Sequence, residues 1–338
     1  MEAAERKMSA DGADETRQAR ALWFAGGRRA ELRAEPLVAP GPGEVLVRTL
    51  HSGLSRGTER LVFEGLVPPG EYERMRGPNM AGAFPFPVKY GYCAVGEVVA
   101  GFPGLIGRRV FALHPHQDLF VLPAASVTPL PDALPSRRAV LSANMETALN
   151  AIWDSGASAG DRIAVVGAGV LGLLCAFIAA RLPGAEVCVV DVSPDRHAVV
   201  ERLGARFAAP GGAPAECDVV VHASASEAGL ATALGCAGLE ARVVELSWYG
   251  DRAVAAPLGG AFHAKRLRLV SSQVGRLPPA RAPRWTYARR MEKAMALLCD
   301  DRLDALITEE IAFEALPAEL PRLLAPGAPG LTAAIRYS

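Results

Sequence analysis

Residues 163–172 read IAVVGAGVLG, a wholly apolar run that passes directly into glycines spaced as GxGxxG. A short strand that is apolar on both faces is typical of a parallel sheet covered by helices on both sides. The apolar residues that follow, from Leu171 to Arg181, have helical spacing. The stretch therefore predicts a strand, a tight glycine turn and a helix, the opening unit of a doubly wound α/β domain.

Each glycine of this motif has its own physical role. Gly167 permits the tight turn, Gly169 lets the backbone approach a pyrophosphate, and Gly172 lets helix and strand pack closely. The free N–H groups of the first helical turn, which contains Val170 and Leu171, and the positive end of the helix dipole would face the phosphates. A GxGxxG pattern alone is weak evidence, because it can arise by chance in a chain with 34 glycines. Its position between a strand and a helix favours dinucleotide binding over a purely structural turn.

Asp191 ends the next predicted strand, about 20 residues beyond the last glycine, where a ribose-binding carboxylate is expected. Its charge would accept a hydrogen bond from the 2′-hydroxyl of NAD and repel the 2′-phosphate of NADP. We therefore predict NAD rather than NADP. Arg196 is assigned to the same site as a group that softens this preference, the alternative being a solvated arginine on a helix. Ser224 is expected to approach the cofactor with its backbone.

Strands and helices alternate along the rest of this region. Apolar runs predict strands at 187–190, 219–222 and 242–246, and helical spacing predicts helices at 194–203 and 227–236. Such alternation over more than a hundred residues predicts a doubly wound parallel sheet of the Rossmann type, which we assign to residues 151–299.

The chain before residue 150 has a different pattern, with short strands separated by glycine and proline. This predicts a β-barrel domain over residues 21–150, completed by residues 300–338, after a flexible tail at 1–20. A charged segment around 71–76 is expected to form a short helix over a cleft, and helical spacing covers 136–155. The predicted barrel strands are 21–24, 30–34, 44–50, 95–100, 109–113, 119–122 and 333–337.

Composition excludes several function classes. The 338 residues carry 36 basic and 36 acidic side chains, so no net field would gather nucleic acid or an anionic membrane. None of the apolar runs reaches the roughly 20 residues of a membrane span. The six cysteines contain no CxxC pair, which is typical of reduced thiols in a cytoplasmic protein.

Further motifs resemble those of one enzyme superfamily. Residues 37–48 (LVAPGPGEVLVR), 91–98 (GYCAVGEV) and 160–169 (GDRIAVVGAG) are similar to segments of the medium-chain dehydrogenase/reductases. The resemblance covers roughly residues 21–337 and implies a GroES-like β-barrel catalytic domain beside a Rossmann cofactor domain, and a homodimer. Residues 52–59 (SGLSRGTE) look most like the branch that contains bacteriochlorophyllide a dehydrogenase, which oxidises a hydroxyethyl group to acetyl.

The chain departs from the zinc-using members of that superfamily at each ligand position. The resemblance places Ser55 or Arg56 where they have a cysteine, and Tyr92-Cys93 where they have a His-Glu pair. The third ligand position falls at 143–144, among residues that are poor zinc ligands. We therefore predict no metal. The alternative is a zinc site built from Cys93, Glu146 and His51.

Without a metal, side chains must take up or supply the proton of the alcohol hydroxyl. The segments that line the cleft by resemblance offer Ser55, Thr58, Glu59, Tyr92 and Glu146. The two hydroxyls would form a relay, the two carboxylates would act as bases, and Tyr92 would donate a proton to a carbonyl. Their structural interpretations stay open: turn hydroxyls, carboxylates in solvent or paired with an arginine such as Arg56, and a half-buried barrel aromatic.

Other polar residues are weaker candidates. His114 and His116 are interpreted as loop histidines, with a substrate contact by His116 as the alternative. Trp248 and Tyr249 follow a predicted strand of the parallel sheet, and we expect them to shape the pocket.

Taken together, the motifs predict a zinc-independent, NAD(H)-dependent oxidoreductase that interconverts a secondary alcohol and a ketone. The alternatives are a quinone or enoyl (C=C) reductase that uses NAD(P)H, and a dinucleotide-binding sensor without catalysis. The predicted partners are a small-molecule substrate and a second copy of the chain, paired through the sheet edge around 267–273.

Overall fold

The computed structural model describes residues 17–250 and 252–338. Most of the tail predicted at 1–20 lies outside these ranges. For residues 17–20 the prediction of a flexible tail is wrong. Residues 17–20 belong to the first strand, where Arg17 pairs with Leu37 and Arg20 with Ala34. Ala19 is fully buried, so this segment is fixed by packing as well as by the backbone ladder.

The strands are numbered in chain order. They are β1 (Arg17–Gly26), β2 (Arg29–Leu37), β3 (Glu44–Gly53), β4 (Ala81–Gly82), β5 (Val88–Lys89), β6 (Cys93–Gly101), β7 (Arg109–Ala112), β8 (Leu119–Pro123), β9 (Thr128–Pro129), β10 (Arg162–Val166), β11 (Glu186–Val190), β12 (Arg206–Ala208), β13 (Cys217–His222), β14 (Ala237–Glu245), β15 (Arg268–Ser271), β16 (Ile307–Ala312) and β17 (Thr332–Arg336).

The helices are numbered in the same way, with short 3-10 turns between several of them. They are α1 (Arg56–Glu64), α2 (Tyr72–Met75), α3 (Ser136–Ala139), α4 (Ser142–Ser155), α5 (Val170–Ala179), α6 (His197–Arg202), α7 (Glu227–Cys236), α8 (Gly260–Ala264), α9 (Tyr287–Leu297) and α10 (Leu316–Leu323).

The strands from β10 to β15 form one parallel sheet in the order β12-β11-β10-β13-β14-β15. The chain starts at β10, runs outward to β12, and then crosses back to β13 on the other side of β10. The strand order therefore reverses between β10 and β13, which is where such sheets bind ligands at their carboxyl ends. The predicted doubly wound sheet is confirmed.

This sheet is covered on both faces, as its apolar strands require. Along β10, Ile163 and Val165 pack into one apolar cluster, while Ala164 and Val166 pack into another. The first cluster also contains Phe177 of α5 and residues of α4 and α9. It continues into the other half of the molecule through Cys93.

The remaining strands form the GroES-like part. One sheet has the order β2-β1-β5-β4, and another has the order β16-β17-β3-β6-β7-β9, with β8 also pairing with β3. The central strand β3 lies between β6 and the late strand β17. The predicted return of the chain to its first half is thus built into a sheet, and the two-part α/β fold class is confirmed.

The structure corrects several predicted elements. The predicted helix 194–203 is a 3-10 turn, Pro194–Arg196, followed by α6. The strand predicted at 242–246 begins at Ala237. The short strand β12 was not predicted, because only one of its three residues, Ala208, is buried.

Within residues 17–250 and 252–338, none of the helices is long and apolar enough to cross a membrane.

Candidate functional site

The glycine turn lies between β10 and α5, at the carboxyl end of the parallel sheet. Gly167 has a φ of +110°, and a Cβ there would lie 2.8 Å from the backbone nitrogen of Ser224. A Cβ at Gly172 would lie 1.9 Å from the carbonyl oxygen of Gly167. Two of the three glycines are therefore required by the approach of neighbouring backbone.

Gly169 differs from the other two glycines. A Cβ at this position would meet no atom within 4 Å, so the space in front of the first turn of α5 is open. Val170 and Leu171 begin that helix, and the N–H groups of a first helical turn have no partner within the helix. The geometry fits a phosphate-bearing group, whose charge would face the positive end of the helix dipole.

Asp191 lies beside this turn, as its position along the chain predicted. Its Oδ2 accepts a hydrogen bond from the backbone N–H of Ala168 at 2.6 Å, and its Oδ1 accepts one from Ser193 at 2.8 Å. The two bonds fix the carboxylate next to the open space at Gly169. A negative charge therefore borders this open space, which we name the cradle, at the point where a ribose hydroxyl would bind.

Arg196 is half-buried, so its alternative interpretation as a solvated arginine is wrong. Its guanidinium donates to the carbonyl oxygen of Gly330 at 2.8 Å. Arg56 donates to that oxygen at 3.2 Å and to the carbonyl of Pro329 at 2.7 Å. Arg196 thus links the parallel sheet of β10 to β15, which we name the cofactor sheet, to the segment before β17.

Glu59 lies in the interior rather than in solvent. It is fully buried, its Oε1 accepts a hydrogen bond from the backbone N–H of Ser55 at 2.7 Å, and its Oε2 contacts His116 Nε2 at 2.9 Å. The predicted partner Arg56 binds carbonyl groups instead. Both carboxylate oxygens are therefore occupied, and Glu59 holds the start of α1 in place.

The contact with His116 belongs to a longer buried chain. His116 Nδ1 lies 2.7 Å from Ser52 Oγ, which lies 2.9 Å from the hydroxyl of Tyr337. We name Glu59, His116, Ser52 and Tyr337 the barrel chain. His116 lies in the loop between β7 and β8, as predicted, but its side chain is fully buried. No sequence pattern predicts this chain, because its members lie in four separate segments.

Ser55 and Thr58 lie at the start of α1, half-buried. Among the residues that the structure describes, neither hydroxyl makes a hydrogen bond, although the backbone N–H of Ser55 binds Glu59. Both hydroxyls are therefore able to bind a group that enters from outside the chain.

Tyr92 is half-buried against the large apolar cluster that spans both halves of the molecule. Burial raises the pKa of its phenol, and the nearby hydroxyl of Thr147 opposes the shift. The phenol therefore keeps its proton at neutral pH and can donate a hydrogen bond to a carbonyl oxygen.

Glu146 forms a buried ion pair with Arg290 of α9, with 3.0 Å between Oε1 and Nε. Arg290 also donates to Asn150 and, at 2.7 Å, to the carbonyl of Val274. Burial raises the pKa of Glu146, and the guanidinium opposes that shift. Glu146 is therefore held in a structural ion pair with an arginine, which was the alternative to its predicted role as a base.

The donors proposed for an alternative zinc site do not fit a zinc ion. The Sγ of Cys93 donates to the carbonyl of Val140 at 3.2 Å, and burial raises the pKa of this thiol to about 12. His51 faces Glu310 at 3.9 Å, and Glu146 is held by Arg290. Across the described part of the chain, His, Cys, Asp and Glu side chains form no group of three or more that could hold a metal.

His114 is buried and stacks on Phe120, with ring centroids 3.9 Å apart. Its Nδ1 donates to the carbonyl oxygen of Pro115 at 2.9 Å, and burial lowers its pKa to about 3. His114 is therefore a loop histidine, as predicted, whose neutral ring is buried in the core.

A second polar chain lies on the cofactor sheet, where β13 and β14 end. His222 Nε2 is 2.7 Å from Ser224 Oγ, and His222 Nδ1 is 2.7 Å from Glu245 Oε2. We name Ser224, His222 and Glu245 the sheet-edge chain. The sequence predicted only that the backbone of Ser224 approaches the cofactor, and His222 and Glu245 were not predicted as site residues. The available signal was a polar residue directly after each of two apolar runs, 219–221 and 243–244.

The loop after β14 carries the two aromatic residues expected in the pocket. The Tyr249 hydroxyl lies 3.3 Å from Glu245 Oε2. Arg74 of α2 lies over the ring of Trp248, 5.9 Å from its centroid. The loop therefore faces both the sheet-edge chain and the short helix that was expected over a cleft.

Sequence comparison finds dehydrogenases. The chain is 24% identical over 301 residues to D-guloside 3-dehydrogenase of Escherichia coli K12, which covers 78% of this chain and 85% of that protein. It is 37% identical over 94 residues to 2-desacetyl-2-hydroxyethyl bacteriochlorophyllide A dehydrogenase of Cereibacter sphaeroides. That match spans 27% of this chain and 26% of the relative. No family model matches the chain.

Solved structures share the fold over nearly the whole chain. A protein of Sinorhizobium meliloti 1021 bound to NADP has a TM-score of 0.75 at 17% identity, covering 95% of this chain and 99% of its own. A short chain alcohol dehydrogenase of Escherichia coli CFT073 in complex with NADH has a TM-score of 0.74 at 15% identity, covering 94% and 99%. This fold, the glycine motif and the dehydrogenases that match most of its length make the chain similar to the medium-chain dehydrogenase/reductases, and they support an NAD(P)-dependent oxidoreductase of that type.

Proposed function

We propose that the protein is a zinc-independent, NAD(H)-dependent oxidoreductase that interconverts a secondary alcohol and a ketone. The observation that carries the proposal is the open cradle at Gly169, bordered by the fixed carboxylate of Asp191. That carboxylate favours a ribose with a free 2′-hydroxyl, because a 2′-phosphate would bring a second negative charge against it. The relatives named as dehydrogenases of alcohol groups agree with this reaction class.

The nicotinamide cofactor, when bound, accepts or supplies the hydride. The chain itself must bind the substrate oxygen and move its proton. Tyr92 keeps its proton and would donate a hydrogen bond to the carbonyl oxygen, while the free hydroxyls of Ser55 and Thr58 would position the substrate. Glu59 and Glu146 are held by His116 and Arg290, so we assign them to positioning rather than to proton transfer.

Cofactor preference tests the first half of the proposal. Titration with NADH and NADPH, followed by fluorescence, is expected to show tighter NADH binding by wild type. Asp191→Ser is expected to lower the Kd ratio of NADPH to NADH by about tenfold, because it removes the like charge. Asp195→Ser, at an exposed position four residues on, is the matched control and is expected to leave the ratio unchanged. An unchanged ratio in Asp191→Ser would contradict the role of this carboxylate.

Turnover tests the second half. Secondary alcohols with NAD, and ketones and enones with NADH, are expected to give turnover on the alcohol and ketone panels. Turnover on enones alone would assign a C=C reductase, and tight NADH binding without turnover on any panel would assign a sensor. Metal analysis of the purified protein is expected to find less than stoichiometric zinc; one zinc per chain would overturn zinc independence.

We further propose a homodimer paired through β15, the edge strand of the cofactor sheet. Its residues Arg268 and Leu269 are exposed, and β15 pairs only with β14 among the described strands. Light scattering is expected to give twice the chain mass, and Leu269→Pro to give the monomer mass, because proline removes a ladder donor. A monomeric wild type would refute the pairing.

A further inference from the structure

The GroES-like part contains a polar cleft that the proposed reaction does not use. Its volume is about 490 Å³, within the range of roughly 300–1,000 Å³ that is typical of small-molecule sites. It lies among the end of β2, the start of β3, β5, β8 and the loop before β8. The buried side chains of Lys89, His114 and Gln117 line it. We name it the barrel cleft.

His114 brings a buried hydrogen-bond acceptor to the barrel cleft. The residue is 4% exposed, and its Nδ1 carries the ring proton because it bonds to the carbonyl oxygen of Pro115, which only accepts. In the neutral ring Nε2 is therefore an acceptor. Within the described residues Nε2 has no hydrogen-bond partner and is not sealed off, so it opens onto the cleft. A buried polar atom without a partner costs free energy, so a donor from outside the chain is expected there.

Lys89 adds a donor near that acceptor. Its Nζ donates to Glu35 Oε2 at 2.7 Å and to Gln117 Oε1 at 3.2 Å. An ammonium has three N–H groups, so one remains for a ligand. The charge of Lys89 is close enough to His114 to help lower the pKa of that ring. The barrel cleft therefore offers one acceptor and one donor, both on side chains that packing holds in place.

The charges of the barrel cleft favour an uncharged ligand. The Lys89 ammonium is paired with the Glu35 carboxylate and would repel a cation. Glu44 also lines the cleft, where it accepts a hydrogen bond from the N–H of Gly41 at 2.9 Å. An anion would therefore meet two carboxylates and one ammonium that is already paired.

Apolar residues line another part of the barrel cleft. Pro36, Leu37 and Val38 follow one another at the end of β2, and Val121 belongs to β8. Val38 is 79% exposed, which is unusual for a valine. A ligand with C–H groups would cover these residues. Because a hydroxyl both donates and accepts, a ligand with several hydroxyls would also satisfy the acceptor and the donor together.

We propose that the barrel cleft binds a neutral polyhydroxyl compound of the size of a monosaccharide, with one hydroxyl donating to His114 Nε2 and another oxygen accepting from Lys89 Nζ. The inference does not rest on the proposed function. The described residues that line the cleft do not include Ser55, Thr58 or Tyr92, and all of them precede the glycine turn.

The test measures binding of individual neutral monosaccharides and sugar alcohols to the full chain by saturation-transfer NMR. At least one of them is expected to bind with a Kd below about 1 mM. The sugar acid that carries a carboxylate on the same ring is expected to bind at least about tenfold more weakly, because it meets Glu35 and Glu44.

Two variants place the bound sugar. Val38→Trp is expected to abolish binding because the indole fills the cleft, and to keep the melting temperature because the position is exposed. Val192→Trp, the same change at a valine that is 84% exposed in the cofactor domain, is the matched control and is expected to bind the sugar as wild type does. His114→Phe keeps a ring on Phe120 and removes the acceptor, and is expected to weaken binding about tenfold.

The outcomes that would overturn the site are distinct. A panel in which no neutral sugar binds below about 1 mM would leave water as the only occupant of the cleft. Wild-type affinity in Val38→Trp would place the sugar elsewhere on the chain. Unchanged affinity in a folded His114→Phe, or equal affinity for the sugar acid, would refute the assigned contacts. Each of these results leaves the proposed function standing, because none of them involves the dinucleotide.

Discussion

Two glycines of the same motif differ in what surrounds them. Gly172 is in contact with the backbone of Gly167, whereas Gly169 faces open space, in line with the separate roles predicted for them from the sequence. Fold and ligand binding therefore depend on different residues of one turn, and single substitutions can separate the two.

Gly169→Ala is expected to fold with an unchanged melting temperature, because its φ of −75° suits any residue and the new methyl group meets no protein atom. NADH affinity is expected to fall at least about tenfold, because the methyl group occupies the approach to the pyrophosphate. Gly172→Ala is expected to lower the melting temperature as well. Equal NADH affinity in wild type and a folded Gly169→Ala would contradict the cradle.

His116 is the member of the barrel chain whose loss leaves most groups unpaired. His116→Ala removes the partner of the buried Glu59 carboxylate and of Ser52, and is expected to cost about 3–5 kcal/mol in urea unfolding. His197→Ala, which breaks an exposed pair with Glu201, is the control and is expected to cost at most about 0.5 kcal/mol. Similar costs for the two variants would refute a buried structural role.

At the scale of elements, α4 and α9 are joined by the ion pair of Glu146 and Arg290. Arg290→Met leaves a buried carboxylate and is expected to lower stability by about 3 kcal/mol at pH 7.5. Without the guanidinium, the pKa of Glu146 rises further above its unfolded value. Between the unfolded and the folded pKa of Glu146, the folded state holds a proton that the unfolded state releases. The stability of the variant therefore falls as the pH rises from the unfolded pKa through the folded pKa, and it recovers as the pH falls.

Urea unfolding at pH 7.5 and 5.5 checks this sign. The deficit of Arg290→Met relative to wild type is expected to be smaller at pH 5.5. Arg284→Met, at an exposed position before α9, is expected to stay within about 0.5 kcal/mol of wild type at both pH values. A deficit that grows at pH 5.5 would contradict the burial of an unpaired carboxylate.

The elements were predictable where local pattern and packing agree. β10, α5 and β11 follow from apolar runs and one glycine motif, because both faces of a parallel strand are buried and the close backbone approach requires glycine at Gly167 and Gly172. The polar chains were not predictable. Glu59 and His116 lie in different elements, and only the folded topology brings them to 2.9 Å. Arg290 is likewise 144 residues along the chain from Glu146, the carboxylate it binds, so no local pattern joins them.

At the scale of the whole molecule, Arg56 and Arg196 fasten the two halves onto the segment before β17. Arg56 comes from the GroES-like part and Arg196 from the cofactor sheet, and both donate to the carbonyl of Gly330. Arg196→Gln is expected to speed amide hydrogen exchange in residues 328–331 about tenfold, because one of two anchors is lost. Arg202→Gln, six residues on at the end of α6, is the control. Equal exchange in the two variants would refute the anchor.

The placement of β17 beside β3 also bears on how the protein is made. Ser52 and Tyr337, which touch across that pairing, are 285 residues apart in the chain, with the whole cofactor sheet between them. During synthesis, strands β10 to β15 emerge in succession and can pair as they appear. The sheet around β3 must wait for the last strand, holding a gap at its centre. Ribosome-bound chains stopped before residue 332 should therefore contain a folded cofactor domain and an open, protease-sensitive barrel.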